Sequence, residues 1–461
     1  CPISSGICQG SAATTYSSTD VPKAISATGA NTVTSTLTVS GADPYLYDLN
    51  VKTFITHTSN GQLQISLKSP AGKIVTLSSQ NGGTNDDVFN GTLWNDSADP
   101  DSQVPYTNAL NIVTDTLYAN LTVKPTLSPE EPLGAFIGEN PNGVWTLTIA
   151  DLTTGDGGNL ANWSMNLTTL PVAPAATVVT VPSTDVPKTI PTTGPPNVVV
   201  SSVLVSVPGT QIGQVRLTDF ILHTFASDLD ITIKSPAGTV VTLTTDNGGG
   251  NDNVFNGTRW DDKVDPGNQV PYVVPLAASF MVTDTAYTNL VVKPTLTPEE
   301  ALAAFIGENP NGVWTLTISD DASADGGTLT SWSLEITTTT CQVTQCAVNC
   351  NDNNPCTDDS CDPATGCVHT NNTSPCNDGV LCTVNDVCGG GACAGTPVVC
   401  NDNNVCTDEA CNPATGLCVF TNNTNPCDDG NACTTNDTCT APSVCGSTEN
   451  FDVVTAPALP S

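Results

Sequence analysis

The chain of 461 residues is predicted to be all-β, with two tandem β-sandwich or jelly-roll domains followed by a disulfide-rich, core-poor C-terminal region. Three observations predict this. First, the three tryptophans of the first half, Trp94, Trp145 and Trp163, recur as Trp260, Trp314 and Trp332 inside nearly identical local sequences. The offset is 166 residues before Tyr106 and 169 after Val123, so a three-residue insertion separates two matching copies. Second, hydrophobicity inside each copy alternates with period two, as in Leu63, Ile65 and Leu67, and the runs are separated by Pro- and Gly-bearing turns. Third, residues 341–461 contain no Trp, Tyr, Met, Ile, Lys or Arg but hold 18 of the 20 cysteines. Such a segment cannot bury much apolar surface, and covalent links must replace the missing core.

Residues 1–17 form an arm carrying Cys1 and Cys8. The first repeated unit opens at Ser18-Thr-Asp-Val-Pro-Lys23 and spans 18–170, and its copy opens at Ser183-Thr-Asp-Val-Pro-Lys188 and spans 183–338. Between them, 171–182 reads as a Pro-interrupted, extended and stiff linker. In each unit a strand runs into Ser-Pro-Ala-Gly (Ser69 to Gly72, Ser235 to Gly238), a hairpin turn with Pro second and Gly fourth. Trp145, Leu147 and Ile149 alternate after the turn Asn140-Pro-Asn-Gly143. Ser128-Pro-Glu-Glu and Thr297-Pro-Glu-Glu predict short helices with an N-cap, Pro at the first position and acids in the first turn. Residues 339–449 hold two repeats of eight cysteines (350–399 and 400–449), and 450–461 form a tail.

Specific residues carry a family resemblance. His223-Thr-Phe-Ala-Ser-Asp-Leu-Asp-Ile-Thr-Ile-Lys-Ser-Pro-Ala-Gly238, Asn253-Val-Phe-Asn-Gly-Thr-Arg-Trp-Asp-Asp262, and Asn311-Gly-Val-Trp-Thr-Leu through Asp320, Asp325, Gly326 and Trp332 resemble the P domain (P/Homo B). This jelly roll follows the catalytic domain in proprotein convertases and many secreted bacterial proteases. The first copy departs where Gln62-Leu63-Gln64 replaces Asp228-Leu229-Asp230. The strings Cys356-Thr-Asp-Asp-Ser-Cys-Asp-Pro-Ala-Thr-Gly-Cys367 and Cys406-Thr-Asp-Glu-Ala-Cys-Asn-Pro-Ala-Thr-Gly-Leu-Cys418 resemble the slime-mould-type CTDC repeats of large surface and matrix proteins.

The cysteines imply disulfides and hence an extracellular protein. Cys1 with Cys8 and Cys341 with Cys346 accompany two octets: Cys350, Cys356, Cys361, Cys367, Cys376, Cys382, Cys388 and Cys393, then Cys400, Cys406, Cys411, Cys418, Cys427, Cys433, Cys439 and Cys445. Every group is even, which favours bonding within groups, although spacing does not give connectivity. Cys1 is open to lipidation as well as disulfide bonding. The numbered chain reads as a processed product, with no apolar run near the roughly 20 residues that cross a bilayer.

A net charge of −34, set by only 11 Lys plus Arg, makes nucleic acid and anionic membranes poor partners, since both require positive charge. Hydrolytic catalysis lacks its base. The three histidines are His57, His223 and His369; the first two are duplicate strand positions that read as structural, and no Gly-x-Ser-x-Gly elbow or phosphate loop occurs. Without a Cys-x-x-Cys, zinc is also unsupported. The chain is therefore expected not to be an enzyme and to need no organic cofactor.

Calcium is the cofactor the acids suggest, because it takes about six to eight oxygen ligands from carboxylates, amides and carbonyls on Gly-rich turns. The candidates are Asp86, Asp87, Asn95 and Asp96 with their counterparts Asp252, Asp261 and Asp262, then Asp228 and Asp230, and the pairs Asp151 with Asp156 and Asp320 with Asp325. Sequons at Asn90, Asn95, Asn120, Asn162, Asn166, Asn256, Asn371, Asn372, Asn422 and Asn436 are candidate glycosylation sites, Asn90 and Asn256 foremost.

These features predict a secreted structural glycoprotein, a module of a fibre, stalk, coat or matrix at the cell surface. It would self-assemble, or join other matrix proteins, through the arm or the linker as an added strand. Two alternatives have other signatures. A glycan- or protein-binding adhesion module requires exposed Trp94 and Trp260, and the non-catalytic end of a secreted protease requires a protease domain upstream.

Overall fold

The computed structural model describes residues 12–98, 111–209, 211–264, 269–340, 350–362, 366–431 and 434–446. The chain divides into two compact units, 4–342 and 343–461.

The first unit holds two jelly-roll sandwiches of identical plan. In the first, one sheet orders Thr14–Ser17, Gly158–Leu170, Tyr45–His57, Asn90–Trp94 and Thr126–Leu127, with Lys23–Ile25 also on Gly158–Leu170. The facing sheet orders Asn31–Val39, Gly143–Asp151, Leu63–Lys68 and Ile74–Ser79. The second sandwich repeats both sheets. Its six-stranded sheet is built around Gly327–Thr340 and Ile212–His223, and its four-stranded sheet runs Asn197–Val205, Gly312–Asp320, Leu229–Lys234 and Val240–Thr244.

The period-two pattern explains the packing. Ser35, Leu37 and Val39 point inward while Thr36 and Thr38 face out, and Leu63, Ile65 and Leu67 are fully buried in the core. The Ser-Pro-Ala-Gly turns close by Gly72 N–H donating to Ser69 O (3.0 Å) and Gly238 N–H to Ser235 O (3.1 Å). Gly72 at φ +96° and Gly238 at φ +105° occupy conformations that side chains disfavour.

All six indoles are buried and each finds an acceptor at matched positions. Trp145 and Trp314 donate to the carbonyls of Pro141 and Pro310 (both 2.9 Å). Trp163 and Trp332 donate to Ser35 and Ser201 (2.9 and 2.7 Å). Trp94 donates to Thr53 (2.9 Å), but Trp260 donates to the carboxyl group of Asp219 (2.7 Å).

Two expectations change. Most of the stretch read as a linker is an edge strand, Ala175–Pro182, paired antiparallel to Gly327–Thr340. Val179 and Val181 pack on the second core, so its apolar residues serve that sandwich. Thr14–Ser17 does the same in the first sandwich, so the strands expected to cross to a neighbour are both paired within their own sheets. The predicted helices also shift: the chain turns in 3₁₀ form at Leu133–Phe136 and Leu302–Phe305, after the Glu pairs rather than through them. Glu130 and Glu131 instead accept the backbone N–H of Ser79 and Thr76 (both 2.7 Å).

Among the described residues the Cys-rich unit holds four two-stranded hairpins, Thr357–Asp362 with Gly366–Asn371, Thr383–Gly389 with Ala392–Pro397, Thr407–Cys411 with Cys418–Asn422, and Thr438–Thr440 with Val444–Gly446. Cys350–Cys367, Cys376–Cys393, Cys400–Cys418 and Cys427–Cys445 each close one hairpin module. Cys356–Cys388, Cys382–Cys411 and Cys406–Cys439 each join one module to the next. The structural repeat is therefore a four-cysteine module, not an octet, and Cys382–Cys411 crosses the boundary expected at 399/400. Bonding within groups is overturned there, because even counts within an octet do not exclude a bond from one module to the next. Cys1, Cys8, Cys341, Cys346 and Cys433, and the side chain of Cys361, lie outside the described residues.

Each module begins with the same polar turn. Asp352, Asp378, Asp402 and Asp429 accept the N–H two residues on (2.8–2.9 Å). They also accept the hydroxyl of the Thr five residues on, at 2.9, 2.9, 2.9 and 3.0 Å. Local side-chain bonds and disulfides thus do the work that a core does elsewhere. These bonds also require an oxidising compartment, as in secreted proteins. Among the described residues no helix is long and apolar enough to cross a membrane.

Candidate functional site

His57 and His223 serve the fold. His57 Nδ1 lies 2.9 Å from Ser59 O and its Nε2 3.5 Å from Asp151; His223 repeats this with Phe225 O at 2.8 Å and Asp320 at 3.5 Å. Neither ring faces a hydroxyl or thiol nucleophile among the described residues. Trp94 and Trp260 are fully buried, so the exposed aromatic platform that an adhesion reading needs is absent at these positions.

The acids and amides singled out for calcium hold mostly separate partners. Asp87, and Asn253 at its matched position, accept the backbone N–H of His57 and His223 (2.9 and 3.0 Å). Asn95 closes a turn onto Ser97 N (2.8 Å). Asp96 accepts Leu133 N and Gly134 N (2.9 and 2.6 Å), and Asp262 accepts Leu302 N and Ala303 N (3.0 and 2.6 Å). Asp261 pairs with Arg216 (2.7 Å). Asp156 accepts from Thr58 and Gln62 (3.0 and 2.7 Å), and Asp325 from Thr224 (3.0 Å). The backbone N–H groups of Asp86 and Asp252 donate to the side-chain oxygens of Asn120 and Asn289 (2.7 and 2.6 Å). Of the sequon residues, Asn120, Asn162, Asn166, Asn371, Asn422 and Asn436 are exposed, while Asn90, Asn95, Asn256 and Asn372 are half-buried.

The structure concentrates buried charge elsewhere, where the two sandwiches meet. Gln64 and Ser66 on the outer face of the first four-stranded sheet are as buried as its core. The second sandwich covers them: Gln64 exchanges two bonds with the backbone of Tyr272 (both 2.9 Å), and Gln269 donates to Ser66 (2.9 Å).

The contact surfaces are related as by a two-fold axis. Ser79 Oγ lies 2.7 Å from Glu130 and 3.1 Å from Asp284 of the second sandwich. Reciprocally, Thr245 Oγ1 lies 2.8 Å from Glu299 and 3.0 Å from Asp115 of the first. Each of these residues is the duplicate of its mate across the axis, as expected of an isologous contact. On the axis Gly134 meets its own counterpart Ala303, where a Cβ on Gly134 would come within 2.7 Å of the alanine Cβ.

Desolvation dominates the electrostatics. Burial, reinforced by Asp284, pushes the Glu130 carboxyl up to about 8, and burial with Asp115 pushes Glu299 well above the carboxylate range. Asp96 is raised to about 7 by burial, and Asp262 is raised well above its ordinary value by burial and the Asp96 charge. One hydroxyl proton cannot satisfy two carboxylates, so a proton held on Glu130 and on Glu299 fits this geometry.

Sequence reasoning missed Asp115, Glu130, Asp284 and Glu299. The available signal is the two duplicated Glu-Glu pairs with no basic partner beside them in sequence, a pattern that also reads as a helix start.

Comparison with known proteins agrees with the architecture. Residues 46–167 and 275–336 match the proprotein convertase P-domain, and residues 349–372 and 399–423 match the Dictyostelium (slime mold) repeat. No curated protein matches the chain. Among solved structures, similarity is found to a serine protease of Aeromonas sobria, at 19% identity and TM-score 0.18, covering 37% of this chain and 28% of that one. The same serine protease in complex with its chaperone gives 15% identity and TM-score 0.23, covering 60% of this chain and 36% of that one. The chain therefore spans about a third of the length of those proteins. Both matched families are non-catalytic modules, and no triad is assembled among the described residues. The chain carries two P domains of the proprotein-convertase type in tandem, followed by slime-mould-type CTDC repeats.

Proposed function

We propose that the paired sandwiches are the non-catalytic accessory body of a secreted protease. The observation that carries this reading is that both sandwiches are of P-domain type, a module that commonly follows a secreted protease domain. Their matched, buried contact favours one stiff body rather than two mobile beads. The test is to recover the native protein with antibodies raised against the sandwiches and to measure its polypeptide mass and peptide hydrolysis. A protease domain on the same polypeptide, or a protease recovered with it, is expected. Native material of this mass alone, free of any protease, contradicts the reading.

A second reading, a structural module of an extracellular fibre, stalk, coat or matrix, is favoured by the disulfide ladder. Four modules, each bonded to the next, suit a tension-bearing or protease-resistant segment. Under either reading the exposed sequons at Asn120, Asn162 and Asn166 are the first places to seek glycans in a glycosylating source. Glycopeptide mass spectrometry of native material decides that point.

A further inference from the structure

The two-fold relation between the sandwiches breaks at one place. In the first sandwich, adjacent strand ends of the four-stranded sheet carry Gln64, Gln80, Ala150 and Leu152; the matched positions of the second carry Asp230, Asp246, Ser319 and Asp321. Four neutral residues have become three acids and a hydroxyl.

The sheet sets them on one face. Asp230 and Ser319 are directly paired across neighbouring strands, so their side chains leave the same face. Asp321 follows Ser319 on that face, one residue beyond its strand, and its N–H bonds to Asp228 O (3.0 Å). Asp246 lies just beyond Val240–Thr244, the strand on the other side of Asp230. Next to it, Thr245 holds Asp115 of the first sandwich at 3.0 Å.

Two features distinguish this from a solvated acidic patch. Asp230 is only 8% exposed and has no hydrogen-bond or ion-pair partner among the described residues, whereas Gln64 at the matched position spends its amide on Tyr272. Ser319 Oγ beside it is fully buried and also lacks a partner among the described residues. A buried carboxyl and a buried hydroxyl without partners each carry a desolvation cost that a ligand would offset. Burial, reinforced by the charges of Asp246, Asp321 and Asp115, all acidic, pushes its carboxyl up to about 7.

We propose that Asp230, Asp246 and Asp321, with Ser319 and the first sandwich's Asp115, form a calcium site that pins the two sandwiches together on one side of their contact. A hard, oxygen-only donor set with a buried floor and exposed acids at its mouth suits calcium, which accepts carboxylates, hydroxyls and water in irregular geometry. The site is independent of the protease or matrix reading, because it depends only on contacts inside this chain.

The test uses the full chain, stripped with chelator and titrated with calcium chloride in a calorimeter, beside the variant Asp230→Gln/Asp246→Gln/Asp321→Leu. That variant carries at each position the residue the first sandwich already uses, and near-ultraviolet circular dichroism of the buried tryptophans checks its fold. The wild-type chain should bind one equivalent more than the variant, and Ser319→Ala alone should weaken that equivalent. Equal calcium stoichiometry and affinity in wild type and a folded variant, or no calcium binding by the wild type, overturns the proposal. Should the triple variant not fold, Ser319→Ala decides: unchanged calcium affinity overturns the site.

Discussion

Glu130 of the first sandwich and Asp284 of the second converge on one hydroxyl, that of Ser79, at 2.7 and 3.1 Å. Burial and mutual repulsion hold the Glu130 carboxyl near 8, against an ordinary value of 4.5. The folded state therefore binds this proton more tightly than the unfolded chain. That contribution to stability is complete below about pH 4.5 and is lost as pH rises through about 8. The Tm of the sandwiches should be higher at pH 5 than at pH 8.5, and Glu130→Gln, which keeps an acceptor for the Ser79 N–H, should flatten this dependence. Calorimetric scans across pH measure it, and an equal slope in the variant refutes the assignment.

Asp219 provides a second, internal comparison. It is fully buried, accepts the Trp260 indole at 2.7 Å, and is raised to about 8 by desolvation, while its other oxygen has no partner among the described residues. The matched position in the first sandwich is Thr53, which satisfies Trp94 with a neutral hydroxyl. Asp219→Thr should stabilise the second sandwich at pH 8 by about 1–3 kcal/mol, the scale for a buried group left unsatisfied, and by less at pH 5. Denaturant unfolding at both values checks the sign.

The bonding ladder predicts a specific peptide map. Non-reduced digestion should release the cross-linked pairs containing Cys356–Cys388, Cys382–Cys411 and Cys406–Cys439. Recovery of Cys382 bonded inside residues 350–399 instead would contradict the inter-module links. Mild reduction should collapse this unit while tryptophan circular dichroism persists, because the described sandwich residues contain no cysteine.

Gly158 marks a close approach of strands, since a Cβ there would sit 1.8 Å from the Thr56 carbonyl oxygen. Gly158→Ala should therefore cost about 1–3 kcal/mol, the range for overpacking a tight contact, as read from the shift in urea midpoint.

Much of the fold was legible because its signals are local. The duplicated tryptophans, the Ser-Pro-Ala-Gly turns and the alternation at Leu63, Ile65 and Leu67 each report on one strand and its neighbour. The contact between sandwiches was not legible for a physical reason. Gln64 and Ser66 occupy the polar half of that alternation, so they read as solvent-facing, yet the second sandwich buries them. The Glu pairs after Ser128 and Thr297 misled similarly, since acids after a Ser-Pro or Thr-Pro step usually mark a helix start, and only tertiary packing gives Glu130 the backbone N–H of Ser79. Val179 and Val181 looked like linker because prolines flank them, although their alternation completes an edge strand. In the Cys-rich unit, parity could not separate bonds within a module from bonds between modules.

The central claim is that the two sandwiches form one body through matched, buried faces. Differential scanning calorimetry of the full chain at pH 5 tests it most directly. The account predicts that residues 12–340 unfold in a single cooperative transition whose calorimetric and van't Hoff enthalpies agree, and that Glu130→Gln combined with Gln64→Ala splits or broadens it. Two separate sandwich transitions in the wild type, with midpoints indifferent to both substitutions, would contradict it.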